Sequence, residues 1–487
     1  MVNRSTRRWR HLWSLRLLAI LLGFVPLITC ELFLRAFDLP VTPAIIDPFV
    51  DLHHLQPLFT FDQAKDRLVI GPERSRLFRP VNFPAHKAEG TLRIFALGGS
   101  TTQGEPYSTE TAFPEWLKLN LQAQLPQRNV EVINCGGLSY ASYRVLPILK
   151  EVLGYGPDLI VIYTGHNEFL ERRSYENWRS RTPQRDSLTS LTRLRTVQMM
   201  RALLFPSSDR SEAKDRTRTS LAAEVDALLD YSGGIADYHR DDPWQEPIVA
   251  HFRWNLEQMI VQCQRRDVPM ILVRPVSNLL DCPPFKIELD SSLTTEQQTG
   301  FLDAWENARK ASDPVDALGA VERALAVDPQ HCGALFLKGR LLAERGEWHE
   351  AKRWLMQARD EDVCPLRAIT PIANSVSELA AKHDVLLVDA ERLFSDKSEH
   401  GIVGSSWLLD HIHPTVEGHQ LLGETLAEVM VRAAITEPID KNWGKARHQL
   451  YQQHFRELKE DYFQRGKQRL EGLLLWTQGR AKKIKDN

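Results

Sequence analysis

Residues Leu92–Gly104 read LRIFALGGSTTQG and decide the fold. The mostly apolar run Leu92–Leu97 stops at two glycines, a pattern typical of a buried strand. The two glycines let the backbone turn sharply, because they have no Cβ atom to clash. Ser100 then follows at the carboxyl end of the predicted strand, where open α/β sheets place their sites. Taken alone, the stretch fits equally well a strand-end turn with a serine that caps a helix.

More strands follow, alternating with segments whose apolar residues have helical spacing. This alternation predicts an α/β fold with a parallel sheet and right-handed crossovers. The further predicted strands are Val130–Asn134, Asp158–Tyr163, Val268–Val273 and Val385–Asp389. Because parallel strands end at the same edge of a sheet, the loops after them converge on one site. Arg274 and Asn278 follow the fourth strand, where they either bind substrate or cap the loop.

A carboxylate and an imidazole stand close together before the last helical pattern of the sheet region. Asp410 and His413 are three residues apart, so the carboxylate can bond one ring nitrogen and fix the tautomer. His411 alternates away from His413 and is the weaker candidate for a base. A metal site made of Asp410, His411 and His413 is the alternative, but no further ligand set is evident. We therefore expect neither a metal nor a cofactor.

These motifs together resemble the SGNH (GDSL-type) esterase family. Four motifs occur in that family's order: Gly98-Gly99-Ser100, the turn 136–139, Gly165-His166-Asn167-Glu168 and Asp410-His411-Ile412-His413-Pro414. Two of them depart from the usual pattern, since G-D-S is Gly-Gly-Ser and G-x-N-D ends in Glu168. The resemblance covers about residues 90–170, 265–282 and 380–432, and implies a flavodoxin-like three-layer sandwich.

The resemblance also implies roles for particular residues. Ser100 would be the nucleophile, His413 the base, and Asp410 the acid that orients the base. The oxyanion hole would consist of the Ser100 N–H, a turn N–H from Gly137 or Ser139, and the Asn167 side chain.

The first residues of the chain favour a membrane anchor. Five arginines between Arg4 and Arg16 precede an apolar run, Leu17–Cys30, and Leu32–Leu34 continues it after Glu31. The length suffices for a spanning helix if Glu31 lies near the interface, and the positive-inside rule then puts the rest of the chain outside the cytoplasm. A cleaved signal peptide is the main alternative, but no small-x-small site follows the run. A buried core helix is the third.

A helical insertion interrupts the predicted sheet domain. Ala317, Val321 and Ala324 are matched by Ala351, Leu355 and Ala358, each 34 residues later. This spacing resembles the tetratricopeptide repeat. Such a segment either covers the active site as a helical lid or offers a groove to a protein or glycan partner.

The resulting domain organisation has six parts. They are an anchor (1–37), a connector (38–90), the hydrolase domain in two parts (91–282 and 368–436), the insertion (283–367) and a C-terminal helical appendage (437–487). Within the first part, we expect a helix over Ser220–Tyr231. The arginine-rich stretch Arg172–Arg185 either binds an anionic polymer or is a solvated face.

The composition limits the range of functions. The 487 residues carry a formal net charge of −2, which gives no sign of nucleic-acid binding. Six scattered cysteines indicate free thiols rather than a disulfide framework. We expect a membrane-anchored serine hydrolase of O-acyl esters, especially O-acetyl esters of a cell-surface glycan. The alternatives are an O-acyltransferase of the same fold, or an anchored repeat scaffold whose hydrolase domain is inactive.

Overall fold

The structure is a computed structural model, and it divides the chain into two compact units. The first is Met1–Asp51 with Ser174–Thr219, and the second is Leu52–Arg173 with Ser220–Asn487. The structure describes residues 23, 25, 26, 28–33, 47–52, 55–175, 196, 218–231, 233–240, 243–437 and 443–479.

Little of the first unit is described. Residues 28–33 are helical, and the buried Glu31 carboxylate accepts hydrogen bonds from the Thr196 N–H (2.9 Å) and Oγ1 (3.0 Å). Most of the predicted anchor, and most of Arg172–Arg185, lie outside the described residues. Among the residues that are described, no helix has the length and hydropathy that crossing a membrane requires.

A five-stranded parallel sheet forms the centre of the second unit, which confirms the predicted α/β class. Its strands are β1 (Leu92–Gly98), β2 (Val130–Gly136), β3 (Leu159–Tyr163), β4 (Met270–Arg274) and β5 (Leu386–Asp389). The order is β2-β1-β3-β4-β5, which is that of flavodoxin-like sheets. Every residue of β1 and β3 is buried, as expected for central strands with helices on both faces.

Helices cover the two faces of this sheet, giving three layers. The helices of the sheet region are α1 (Ser100–Gln103), α2 (Phe113–Gln124), α3 (Ser142–Val152), α4 (Gln245–Gln264), α9 (Thr370–Lys382), α10 (Ala390–Lys397) and α11 (Val416–Arg432). Helices α2 and α11 pack together on one face, and α3, α4 and α9 pack on the other. Phe113, Leu117, Leu422 and Leu426 join α2 and α11 to the sheet in one buried core.

The segment between β4 and β5 is a pair of helical hairpins. Its helices are α5 (Thr295–Lys310), α6 (Pro314–Val327), α7 (Cys332–Glu344) and α8 (Trp348–Asp360). The small residues of the predicted repeat lie buried where these helices pack, among them Ala317, Ala324, Ala351 and Ala358. Two further helices, α12 (Trp443–Glu457) and α13 (Glu460–Thr477), follow the sheet domain. Helix α12 packs on α2 through Tyr451 and Trp116.

Two expectations about the segments around the sheet need correction. Residues 59–84 are more than a connector, because they form an antiparallel sheet of Phe59–Asp62, Arg67–Ile70 and Asn82–Pro84. The predicted helix over Ser220–Tyr231 is absent from that fully described stretch. It contains instead the last two residues of a short strand, Thr219–Leu221, and a 3-10 helix, Leu228–Asp230.

The reason for this second difference lies in α3. The buried Arg144 guanidinium donates to the carbonyls of Ala222, Ala223 and Glu224 at 3.1–3.2 Å. Those carbonyls would have to accept the backbone hydrogen bonds of a helix in this segment. Arg144 itself is held by Glu171 in a buried ion pair of 2.6 Å.

Candidate active site

Ser100 lies at the first position of α1, directly after the turn that ends β1. The turn requires glycine because other groups approach it closely. A Cβ atom on Gly99 would lie 2.6 Å from Asn167 Nδ2 and 3.3 Å from the Tyr140 carbonyl oxygen. The sequence therefore brings the serine and the asparagine from two strand ends against the same turn.

Ser100, His413 and Asp410 form a continuous chain of hydrogen bonds. Ser100 Oγ is 2.7 Å from His413 Nε2, and His413 Nδ1 is 2.6 Å from Asp410 Oδ2. The other carboxylate oxygen accepts from the backbone N–H groups of Ile412 and His413, both at 2.8 Å. All three side chains are buried. The arrangement can accept the serine proton on His413 while Asp410 fixes the ring.

The charges of the pair support this assignment of acid and base. Burial by itself would raise the pKa of Asp410, but the nearby His413 and His411 and the bonds from His413 hold it well below its usual value. Burial also opposes the charged form of His413, yet the Asp410 carboxylate outweighs it and raises the pKa of His413. Asp410 therefore stays ionised, and it stabilises the imidazolium that forms when His413 takes a proton.

The segment that carries His413 is held by Asn278, which was expected either to bind substrate or to cap the loop. Asn278 is buried, donates from Nδ2 to the Asp410 carbonyl (3.2 Å), and its backbone N–H bonds the His411 carbonyl (2.9 Å). It does not line the cleft, so it supports the catalytic loop rather than contacting substrate.

Two backbone N–H groups and one side-chain amide belong to residues that line the cleft at the nucleophile. Ser139 adopts a positive φ of 59°, and its N–H, like that of Ser100, has no protein acceptor among the described residues. Asn167 Nδ2 donates to the Tyr140 carbonyl (3.1 Å), which fixes the orientation of the amide. Ser100, Ser139 and Asn167 all line one cleft with His413. Three donors around one serine can hold an oxyanion.

Gly137 needs correction as a candidate donor. Its N–H already donates to the Gly98 carbonyl at 3.1 Å, continuing the pairing of β1 with β2. The turn donor that remains is Ser139. No sequence pattern separated the two, because either one can be aligned with the family's glycine.

Arg274 also lies away from the cleft. Its guanidinium donates to the Ala373 carbonyl (2.8 Å), Ser377 Oγ (2.9 Å) and Glu391 Oε2 (3.0 Å). These bonds tie the end of β4 to α9 and α10. Arg274 is therefore structural, and the expected substrate contact does not apply to it.

The neighbouring histidines are neutral and take no part in the hydrogen-bonded chain. Burial lowers the pKa of His411 to about 4 and that of His166 to about 3. His166 Nδ1 accepts the Ala368 N–H at 3.2 Å, which joins the end of β3 to the end of the insertion. Of the described histidines, His413 is the one hydrogen-bonded to Ser100 Oγ, as its position in the motif predicts.

The cleft above Ser100 has a volume of about 290 Å³. Sequence reasoning missed most of its wall, which comes from segments far apart in the chain. Apolar side chains supply half of the lining: Leu77, Leu138, Leu170, Val225, Leu366, Ile412, Leu473 and Trp476. No spacing in the sequence marks these residues, because all but Leu473 and Trp476 lie outside helices and strands. Glu105 also lines the cleft, and it pairs with Arg79.

The carboxyl edge of this flavodoxin-like sheet thus carries a serine, a histidine and an aspartate joined by hydrogen bonds. Residues 96–312 match the model of the GDSL-like Lipase/Acylhydrolase family. The match includes Ser100 and Asn167 and ends before Asp410 and His413. Residues 96–312 are therefore similar to this family, and the match supports the enzyme class of the carboxylic ester hydrolases.

Similar solved structures are distant in sequence. The chain is similar to an acetylxylan esterase, Axe2, from Geobacillus stearothermophilus, with 12% identity and a TM-score of 0.32 over 73% of this chain and 100% of that one. It is also similar to a lipase/acylhydrolase from Enterococcus faecalis, with 15% identity and a TM-score of 0.31 over 70% and 97% of the two chains. A search of curated proteins found no match to the chain.

Proposed function

We propose that this chain hydrolyses O-acyl esters, O-acetyl esters included, through an acyl-enzyme on Ser100. The observation that carries the proposal is the hydrogen-bonded chain from Ser100 Oγ through His413 to Asp410, with bonds of 2.7 and 2.6 Å. A serine hydroxyl is a weak nucleophile, and a base within hydrogen-bond reach activates it.

The reaction proceeds in two halves. Ser100 Oγ attacks the ester carbonyl carbon and gives its proton to His413 Nε2, while the oxyanion is held by the Ser100 N–H, the Ser139 N–H and the Asn167 amide. The tetrahedral intermediate then expels the alcohol, which takes the proton from His413. A water molecule, deprotonated by His413, attacks the acyl-enzyme in the same way and releases the carboxylic acid and free Ser100.

The natural substrate is proposed from the anchor. An arginine-rich start followed by the apolar run Leu17–Cys30 supports a catalytic domain held outside the cytoplasm. A domain in that place meets acylated glycans of the cell surface, and these are the esters that we propose it deacylates. Fractionation of cells and accessibility of the domain to added protease test this placement.

Labelling with a fluorophosphonate serine probe tests the chemistry. We expect the full chain in detergent to react with the probe, and Ser100→Ala and His413→Ala to abolish the labelling. Ser405→Ala is the matched control, since Ser405 is exposed and absent from the cleft. If the folded protein is not labelled, or labelling survives Ser100→Ala, the proposal fails.

A further inference from the structure

The C-terminal helix α13 forms part of the cleft, although it lies outside the residues that match the family. Its Leu473 and Trp476, three residues apart, are half-buried and line the cleft above Ser100. Leu474 and Leu475 between them are 42% and 49% exposed and do not line it. One face of the helix therefore belongs to the active site.

The helix is fixed to the segment that follows the nucleophile. Tyr462 Oη bonds Thr111 Oγ1 at 2.8 Å, and Arg469 Nε donates to the Pro106 carbonyl at 2.7 Å. Between them Gly466 packs on the Tyr107 ring so closely that a Cβ atom would lie 2.1 Å from it. These contacts involve residues 106–111, which follow Ser100 and α1 closely in the chain. They therefore fix the position of α13 relative to the nucleophile.

A polar bond also holds the far end of the helix. Trp476 Nε1 donates to Asp230 Oδ1 at 2.9 Å, and Asp230 also lines the cleft. Because this bond uses the only polar atom of the indole, Trp476 offers apolar carbon to a ligand. Leu473 offers the same.

The other residues that line the cleft indicate which part of a substrate would contact Leu473 and Trp476. Outside the catalytic groups, the cleft is lined mainly by aliphatic side chains such as Leu138, Leu170 and Leu366. An acetyl group has one methyl and would leave such a cleft largely unfilled. Each further methylene that is buried strengthens binding about fourfold.

We infer that α13 is a specificity wall, on which Leu473 and Trp476 pack against the alkyl chain of acyl groups longer than acetyl. The inference rests on the proposed function and extends the range of its acyl group. It makes Leu473 and Trp476 specificity-determining residues that take no part in the proton transfers.

The test compares p-nitrophenyl hexanoate with p-nitrophenyl acetate, using the full chain. We expect the wild type to prefer hexanoate in kcat/KM. In Trp476→Ala and in Leu473→Ala, the hexanoate-to-acetate ratio should fall about tenfold, mainly through the KM for hexanoate. Leu473→Trp should lower the same ratio by filling the cleft. Leu475→Ala, on the exposed face of the same helix, should leave it unchanged.

The outcomes separate the two proposals. If no ester is turned over and no probe labels Ser100, the proposed function fails, and the specificity wall that rests on it is overturned with it. If both esters are turned over but the wild type prefers acetate, or neither Trp476→Ala nor Leu473→Ala changes the ratio, the specificity wall alone is overturned. Thermal unfolding of each variant identifies loss of fold, and Leu473→Trp tests the wall without creating a cavity.

Discussion

The catalytic edge of the sheet and the wall of the cleft are built in different ways. The edge comes from short sequence motifs whose groups have fixed partners, as Asp410 has with His413 and two backbone N–H groups. The wall comes from single apolar residues on distant segments, such as Leu77, Leu366 and Leu473. The reaction is thus defined by local sequence, and the choice of substrate by how the remote segments pack.

Replacing Asp410 by Asn gives the largest expected effect and tests the catalytic edge alone. An amide cannot stabilise the imidazolium, and it can hold His413 in the wrong tautomer. We expect kcat/KM to fall on the order of 10⁴-fold, measured on p-nitrophenyl acetate, with the fold retained. Asp396→Asn removes the same charge at an exposed site and should leave the rate unchanged. A loss of less than about tenfold in Asp410→Asn would mean that His413 does not depend on Asp410.

Asn167→Ala removes one oxyanion donor and keeps the triad intact. We expect kcat to fall about 10²–10³-fold with little change in KM, because the donor acts on charge that develops in the transition state. Asn374→Ala, at an exposed position on α9, serves as the matched control. A large rise in KM with kcat intact would mean that Asn167 binds substrate. A residue of the catalytic edge would then act like a residue of the cleft wall.

Gly99→Ala tests the same oxyanion donor by displacing the Asn167 amide instead of removing it. The new methyl group would lie 2.6 Å from Asn167 Nδ2, so the amide must move from the position that Tyr140 fixes. We expect kcat to fall about tenfold or more, short of a full donor loss. Gly154→Ala is the control, since no heavy atom would lie within 4 Å of its new Cβ.

A double variant checks that Gly99 acts through Asn167. If it does, Gly99→Ala should add little to Asn167→Ala, because both changes remove the same donor. Independent losses that multiply would show instead that Gly99→Ala disturbs Ser100 directly.

The difference between edge and wall also explains what the sequence could predict. The strand patterns and the glycine turn after β1 predicted the sheet, because strand ends and turns obey local rules. Asp410 and His413 were found by their spacing just before α11. Long-range hydrogen bonds decided the rest: Asn278 supports the Asp410 loop rather than the substrate, and Arg144 keeps residues 222–224 out of a helix. The periodicity of apolar residues in a sequence does not show which distant groups a buried polar side chain will bond.

Glu105 links the two regions, and its effect is the smallest that we predict. Glu105 lines the cleft, and its Oε2 lies 4.0 Å from Nε of Arg469 on α13. The charge of Glu105 helps to raise the pKa of His413. The base must be neutral to accept the serine proton, so kcat/KM is lost as the pH falls through that raised pKa, above the ordinary histidine value of about 6.5.

Glu105→Gln keeps the shape of the side chain and removes its charge. The pKa of His413 then falls, so the acid limb of the kcat/KM profile should move to lower pH, leaving the enzyme more active in mild acid. Asp410 remains the larger influence on His413, so the limb moves only partway toward that of an isolated histidine. Glu110→Gln, at an exposed position nearby, should leave the profile where it is. If the acid limb does not move in Glu105→Gln, the charge of Glu105 does not influence the pKa of His413.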